Sequence, residues 1–164
     1  MGVTRKQAEN IASVLSEGMP YIQRFYGKII VVKYGGAAMS DVSLKKGFAR
    51  DIALMKLVGM KPVIVHGGGP QIAKELKKAG VTSDFNSGLR ITDQSTMAVV
   101  KKVLGIKVNH EISTLISKSG ALSKGLNYKN SEIVRASKLI GEYGLDLGLV
   151  GKVDKIKTRD IRNL

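Results

Sequence analysis

Two short apolar runs, each ending in a cluster of glycines, restrict what this chain can fold into more than any other feature. Lys28-Ile29-Ile30-Val31-Val32-Lys33 is β-branched and nearly all apolar, which predicts a strand buried on both faces. It leads directly into Tyr34-Gly35-Gly36. Pro62-Val63-Ile64-Val65 has the same character and leads into His66-Gly67-Gly68-Gly69-Pro70. Between the runs, Leu44, Phe48, Ile52 and Met55 recur at helical spacing over residues 41–58, and Gly59 supplies a stop. A second helix is expected from Pro70 to Gly80. Strand, helix, strand, helix with short connections implies a parallel sheet covered by helices on both faces.

In sheets of that kind ligands bind beyond the carboxyl ends of the strands, where both glycine clusters lie. Successive glycines let backbone N–H groups approach an anion with no side chain in the way. A loop that opens a helix adds the uncapped donors and the dipole of the helix amino terminus. Adjacent strands would therefore join the two loops into one anion pocket, with Lys33 as a compact positive charge at its rim. Neither loop matches G-x-x-x-x-G-K-[ST] or G-x-G-x-x-G. With two histidines, no cysteine and no H-E-x-x-H, a histidine metal site is not expected.

The rest of the chain is subordinate to this unit. Thr4-Arg5-Lys6-Gln7 has the form of a capping box and opens a helix over Ala8, Ile11, Ala12 and Leu15. Gly18 and Pro20 are expected to interrupt it and start a second short helix ending near Gly27. Residues 1–27 are thus a helical extension, too short for a core of its own, that must pack on something. Beyond residue 80 the pattern predicts a strand or loop turning at Asn86-Ser87-Gly88, then helices near 94–107 and 109–119. A strand over 121–126 follows, and then an antiparallel ribbon of 132–139 and 145–156 around Gly141 and Gly144.

Charge raises a rival. A net charge of +14 invites a nucleic-acid reading. However, the first 82 residues hold 13 basic and 5 acidic side chains and the other 82 hold 14 and 8, so no basic block exists. The few aromatics are not interleaved with the basic residues, and no stacking platform is visible. Nucleic-acid binding is therefore not expected. No apolar stretch is long enough to cross a membrane, and Glu9 and Glu17 do not suit a secretory leader. The absence of cysteine excludes disulfides and fits a reducing cytoplasm.

Several stretches resemble the amino acid kinase family, and within it the N-acetylglutamate kinases. They are Tyr21-Ile22-Gln23-Arg24-Phe25-Tyr26-Gly27, Val32-Lys33-Tyr34-Gly35-Gly36 with Ala38-Met39, and Gly47-Phe48-Ala49-Arg50-Asp51-Ile52. The similarity continues through residues 63–72 (VIVHGGGPQI), Gly88-Leu89-Arg90-Ile91-Thr92-Asp93, and residues 147–153 (LGLVGKV). A lysine-x-glycine-glycine motif alone recurs across the family, including aspartate, uridylate and glutamate 5-kinases. The combination is narrower, and its nearest sibling is the kinase for an acylated aminoadipate.

The resemblance implies an α/β fold, a three-layer sandwich of helices around a mostly parallel sheet. It also implies transfer of a phosphoryl group from ATP, with Mg2+, to the γ-carboxylate of N-acetyl-L-glutamate, a step of arginine biosynthesis. By family pattern the Gly68 and Gly69 backbone holds the acid, Arg90 grips its α-carboxylate, and Gly35, Gly36 and Gly67 cradle phosphate. Lys33 stabilises the charge on the transferring group. The family also implies a homodimer or larger oligomer. Residues 28–164 would form the acid-binding lobe, and the family's nucleotide lobe is expected to lie beyond Leu164, leaving these residues alone inactive. Arginine feedback is a further family property. One departure is the turn Gly125-Leu126-Asn127-Tyr128-Lys129-Asn130, where the family carries glycine-lysine-aspartate. A non-catalytic acid-binding or assembly module remains the alternative to a kinase.

Overall fold

The computed structural model describes residues 2–129 and 131–162. Helix α1 (Arg5–Phe25) begins as the capping box predicts: Gln7 N–H donates to the Thr4 hydroxyl at 3.3 Å and Thr4 N–H to the Gln7 side chain at 2.9 Å. The interruption expected at Gly18 and Pro20 does not occur, and the helix runs through both. Proline removes one rung of the i→i−4 ladder, a smaller loss than giving up the whole following turn. The extension packs on little within this chain. No residue of α1 is buried, and Ile11, Val14, Leu15 and Met19 are all more than half exposed. Its anchor is at the end, where Gly27 N–H donates to the Gly59 carbonyl at 2.8 Å and the Tyr26 ring lies against Gly59.

Strands β1 (Ile29–Tyr34) and β2 (Lys61–His66) pair in parallel, from Ile29 opposite Lys61 to Tyr34 opposite His66. Helix α2 (Val42–Leu57) connects them, capped by the Asp41 carboxylate accepting from Leu44 N–H at 2.8 Å and stopped at Gly59 with φ +90°. The core forms on one side of this pair. Val32, Tyr34 and Ile64 meet Ile52 and Ala53 of α2, Ile72 and Leu76 of α3 (Gly69–Lys78), and Ile112 and Ile116 of α5 (Asn109–Lys118). Tyr34 stacks on Phe48 with ring centroids 3.9 Å apart. The two-sided burial expected of both strands is not found, since Val31 is 66% exposed in β1 and Val65 is 55% exposed in β2. Side chains alternate across a strand, so covering one face leaves Ile29, Val31 and Lys33 on the other.

Strands β3 (Phe85–Asn86) and β4 (Leu89–Arg90) form a hairpin whose turn has Ser87 at φ 48° and Gly88 at φ 78°, the backbone a two-residue turn requires. Helix α4 (Gln94–Lys102) reaches α5 without a break, through a π-helical turn over Val103–Val108. The strand expected over 121–126 does not form. Side chains of α5 take its carbonyls instead: Ser113 Oγ donates to Ser123 at 3.3 Å and Asn109 Nδ2 to Leu126 at 3.1 Å. The expected ribbon is present as β5 (Val134–Ile140) and β6 (Asp146–Ile156), followed by the short α6 (Arg159–Arg162). It docks through Leu147, which is 1% exposed, and through Thr92, whose N–H donates to Leu147 and whose carbonyl accepts from Leu149. Among the described residues no helix is long and apolar enough to cross a membrane.

Gly148 sits at this junction with φ +75°, and a Cβ there would stand 2.2 Å from the Thr92 carbonyl oxygen. Gly148→Ala is expected to destabilise the fold by about 2 kcal/mol or more, from strain and overpacking together. Gly18→Ala, in open space within α1, should stabilise it by about 0.5–1 kcal/mol. Denaturant unfolding of the two variants checks both signs.

Candidate functional site

The register of β1 and β2 carries Lys33, Gly35 and Gly36 to the same end of the sheet as His66, Gly67, Gly68 and Gly69. Gly67 N–H donates to the Tyr34 carbonyl at 2.9 Å, so the two loops leave the sheet stitched at their roots. The first then coils into a 3-10 turn, Gly36–Met39, opened by Gly36 at φ +64°, a conformation that favours glycine. The second passes into α3, where Gly68 is the N-cap and no side chain caps the helix. Pro70 has no N–H, so Gly69 and Gln71 present the open donors of the first turn. These donors and the dipole behind them suit a phosphate or a carboxylate.

Gly68 is buried, whereas Gly67 and Gly69 are exposed. A Cβ on Gly68 would come within 2.5 Å of Leu104 Cδ2, and one on Gly69 would meet nothing within 4 Å. Leu104 belongs to the π turn, which thus presses a side chain onto the back of the glycine loop. The turn is tied to α3 electrostatically: Glu75 accepts from Lys107 and, at 3.1 Å, from Lys78. His66 Nδ1 lies 2.9 Å from the Gly67 carbonyl and, because a carbonyl only accepts, carries its proton on that nitrogen. The same ring borders a cavity of about 490 Å³ between β2, α5 and residues 121–126, and one of about 300 Å³ with Lys101, Leu104 and Tyr128.

Lys33 is exposed and has no acidic partner among the described residues. Arg90 is half-buried in β4, where Nη1 donates to Ser83 Oγ at 3.1 Å and the guanidinium lies over the Phe85 ring at 4.4 Å. Lys33, Gly35, Gly36, Gly67, Gly68 and Gly69 are therefore brought together, while the contacts of Arg90 are made within its own hairpin. Leu104, Glu75 and Lys107 escaped the sequence reading. Their periodicity marks a helix but not a π turn, and an ion pair between distant elements leaves no local signal.

Fold and site define a mixed α/β domain whose parallel strands end in paired glycine loops. The pattern of the amino acid kinase family matches residues 28–164, and the chain belongs to that family. It is 52% identical over 168 residues to the acetylglutamate kinase of Hydrogenovibrio crunogenus, a match covering 97% of this chain and 56% of that protein. It is 56% identical over 152 residues to the acetylglutamate kinase of Ruthia magnifica, covering 90% of this chain and 51% of the relative. The chain thus spans about half the length of the curated relatives it matches. Among solved structures, N-acetylglutamate synthase from Neisseria gonorrhoeae, complexed with coenzyme A and N-acetyl-glutamate, matches 93% of this chain and 34% of its own. Its TM-score is 0.77 at 22% identity, a likeness of fold. A protein of Streptococcus mutans matches with a TM-score of 0.71 at 30% identity, over 82% of this chain and 53% of its own.

The Glu75 contacts predict a pH dependence. The hydrogen bond from Lys107, then that from Lys78, hold its carboxyl at about 2 against an ordinary 4.5. A depressed folded value means this contribution is full above pH 4.5 and is lost as pH falls toward 2. Unfolding midpoints of Glu75→Gln should therefore fall less steeply than wild type across that window. Parallel acid limbs would show the contact to be without weight.

Proposed function

We propose that this chain supplies the acid-binding side of an ATP-dependent acetylglutamate kinase. The observation that carries the reading is the meeting of Lys33 with both glycine loops at one end of an in-register parallel pair. The acetylglutamate kinases to which the chain is similar support the choice of acid. In this reading the γ-carboxylate of N-acetyl-L-glutamate attacks the γ-phosphorus of ATP. One oxygen–phosphorus bond forms, the bond to the ADP oxygen breaks, and the electron pair leaves with ADP. No general base is needed, because the carboxylate is already ionised at neutral pH.

The difficulty is bringing two anions together, so oriented donors and fixed positive charge are the main resource. The N–H groups of Gly68 and Gly69 hold the acid, Gly35 and Gly36 face the phosphoryl oxygens, with Gly67, its N–H already on the Tyr34 carbonyl, leaving room for them, and Lys33 neutralises developing charge. The Arg90 fork takes the α-carboxylate in a bidentate grip. Among the described residues no group of three acidic or histidine side chains could hold Mg2+, and no step here runs through the metal. An acylated aminoadipate is the competing acceptor, one methylene longer. We further propose a homodimer or larger assembly, because Val31, Val65 and the apolar stripe of α1 lie uncovered.

Calorimetry with N-acetyl-L-glutamate tests the acid site. Arg90→Ala should weaken binding by about 1.5–3 kcal/mol, the worth of a hydrogen bond to a charged group, while Lys33→Ala leaves it nearly unchanged. Equal affinity for wild type and Arg90→Ala would contradict the assignment. The described donors serve one side of the transferring group, so trapping acyl phosphate with hydroxylamine should show negligible turnover by these 164 residues alone. Robust turnover would overturn that. Light scattering should report a species larger than a monomer at micromolar concentration, and a clean monomer counts against the assembly.

A further inference from the structure

Gln71, in the first turn of α3, reaches across to the other glycine loop. Its Nε2 donates to the Met39 carbonyl at 3.2 Å. Met39 closes the 3-10 turn that Gly36 opens, and it is 3% exposed. A carbonyl only accepts, so the amide must present its nitrogen there and its orientation is set. Oε1 is then turned away from Met39, is buried, and meets no donor among the described residues. It lies 3.9 Å from where a Cβ on Gly68 would stand, on the side also occupied by Leu104 and Val108. Flipping the amide to relieve Oε1 would set two oxygens against each other at Met39.

Buried polar atoms almost always find partners, and one that does not calls for an explanation. Stability alone would favour an apolar side chain of the same length, which carries no orphaned acceptor. The compensation lies in what the other half of the amide does. Among the described residues, apart from the stitch between Gly67 and Tyr34 at the roots, the Gln71 bond is the hydrogen bond joining the two loops. Among the described residues the 3-10 turn has one further side-chain bond, from the Tyr34 hydroxyl to the Ala38 carbonyl at 2.8 Å, but Tyr34 belongs to the same loop. It cannot fix that turn against α3.

We propose that Gln71 is a positioning residue that locks the two glycine loops into one anion cradle, and that it is retained for this although it lowers stability. The inference rests on the reading of these loops as the acid and phosphate site. Donors act strongly on an anion only when held in place before it arrives, so loosening Gly35 and Gly36 against the start of α3 weakens binding without removing any donor.

The test compares Gln71→Met, which keeps length and loses the amide, with Gln71→Asn, which keeps the amide one methylene short. Three quantities are measured on the full chain: thermal midpoint, amide hydrogen exchange, and calorimetric affinity for N-acetyl-L-glutamate and for inorganic phosphate. Gln71→Met should unfold at the wild-type temperature or above it. Residues 36–39 should exchange faster in both variants while the β5–β6 ribbon is unchanged. Affinity should fall about tenfold, the loss of roughly one hydrogen bond's worth of preorganisation. Wild-type affinity with unchanged exchange over 36–39 overturns the proposal and leaves the acid site standing. A midpoint that drops in step with affinity makes the role merely structural and also overturns it. If wild type binds neither probe, the acid-site reading falls and the positioning role falls with it, even where exchange shows that the loops are tied.

Discussion

The parallel pairing of β1 and β2 is the constraint on which everything else in this chain depends. Because Ile29 stands opposite Lys61 and Tyr34 opposite His66, both strands end at one level and both glycine loops start there. A slip of one residue would turn the apolar face of one strand to solvent. It would also separate Gly67 N–H from the Tyr34 carbonyl that roots the loops. The core enforces the register from the side: Val32, Tyr34 and Ile64 must all meet α2, α3 and α5. Tyr34 contributes twice, filling the core against Phe48 and bracing the first loop with its hydroxyl. Packing and the site are thus specified by the same residues.

Behind the second loop lies a less ordinary arrangement. An α-helix carried straight from α4 into α5 would advance 100° per residue, and the extra residue of a π turn changes which side chain faces α3. Here Leu104 is the one that arrives on Gly68, and Gly68 has no side chain to resist it. Glu75 holds the turn from the α3 side through Lys107. The loop is therefore clamped between its own strand, the π turn and the 3-10 turn reached by Gln71. Gly67 and Gly69 nonetheless remain open to solvent.

Much of this was legible in the residues and some was not, for identifiable reasons. Glycines after β-branched runs, the capping box at Thr4 and the turn at Ser87-Gly88 are local signals, and each found its element. Pro20 misled because a rule about helix interiors was read as a rule about helix ends. Val31 misled because an apolar run does not say which face its helices cover. Residues 121–126 have the composition of a strand, yet Asn109 and Ser113 on α5 satisfy their carbonyls, and only tertiary structure brings those donors within reach. The contact of Gln71 with Met39 spans 32 residues and was equally invisible.

The excess of positive charge gains meaning from the same geometry. With 27 basic and 13 acidic side chains, one-to-one pairing would leave 14 lysines and arginines without a carboxylate. What separates them is how firmly each is held. On the ribbon, Lys138 is spent on Asp146, and Lys157 and Arg135 both reach Glu132. Elsewhere Lys45 meets Glu111, and Lys78 and Lys107 meet Glu75, while the fields of exposed unpaired lysines die within about 8 Å at physiological salt. Arg90 is different: Ser83 and the Phe85 ring fix its guanidinium without neutralising it. Lys33 has its backbone fixed near the end of β1 and its side chain exposed, with no carboxylate partner among the described residues. A long polyanion would exploit the many mobile charges, whereas a small dianion needs few charges in fixed positions. In the proposed reading the fixed guanidinium of Arg90 and the open N–H donors of α3 serve the second requirement, and the diffuse remainder raises the local concentration of anions around them.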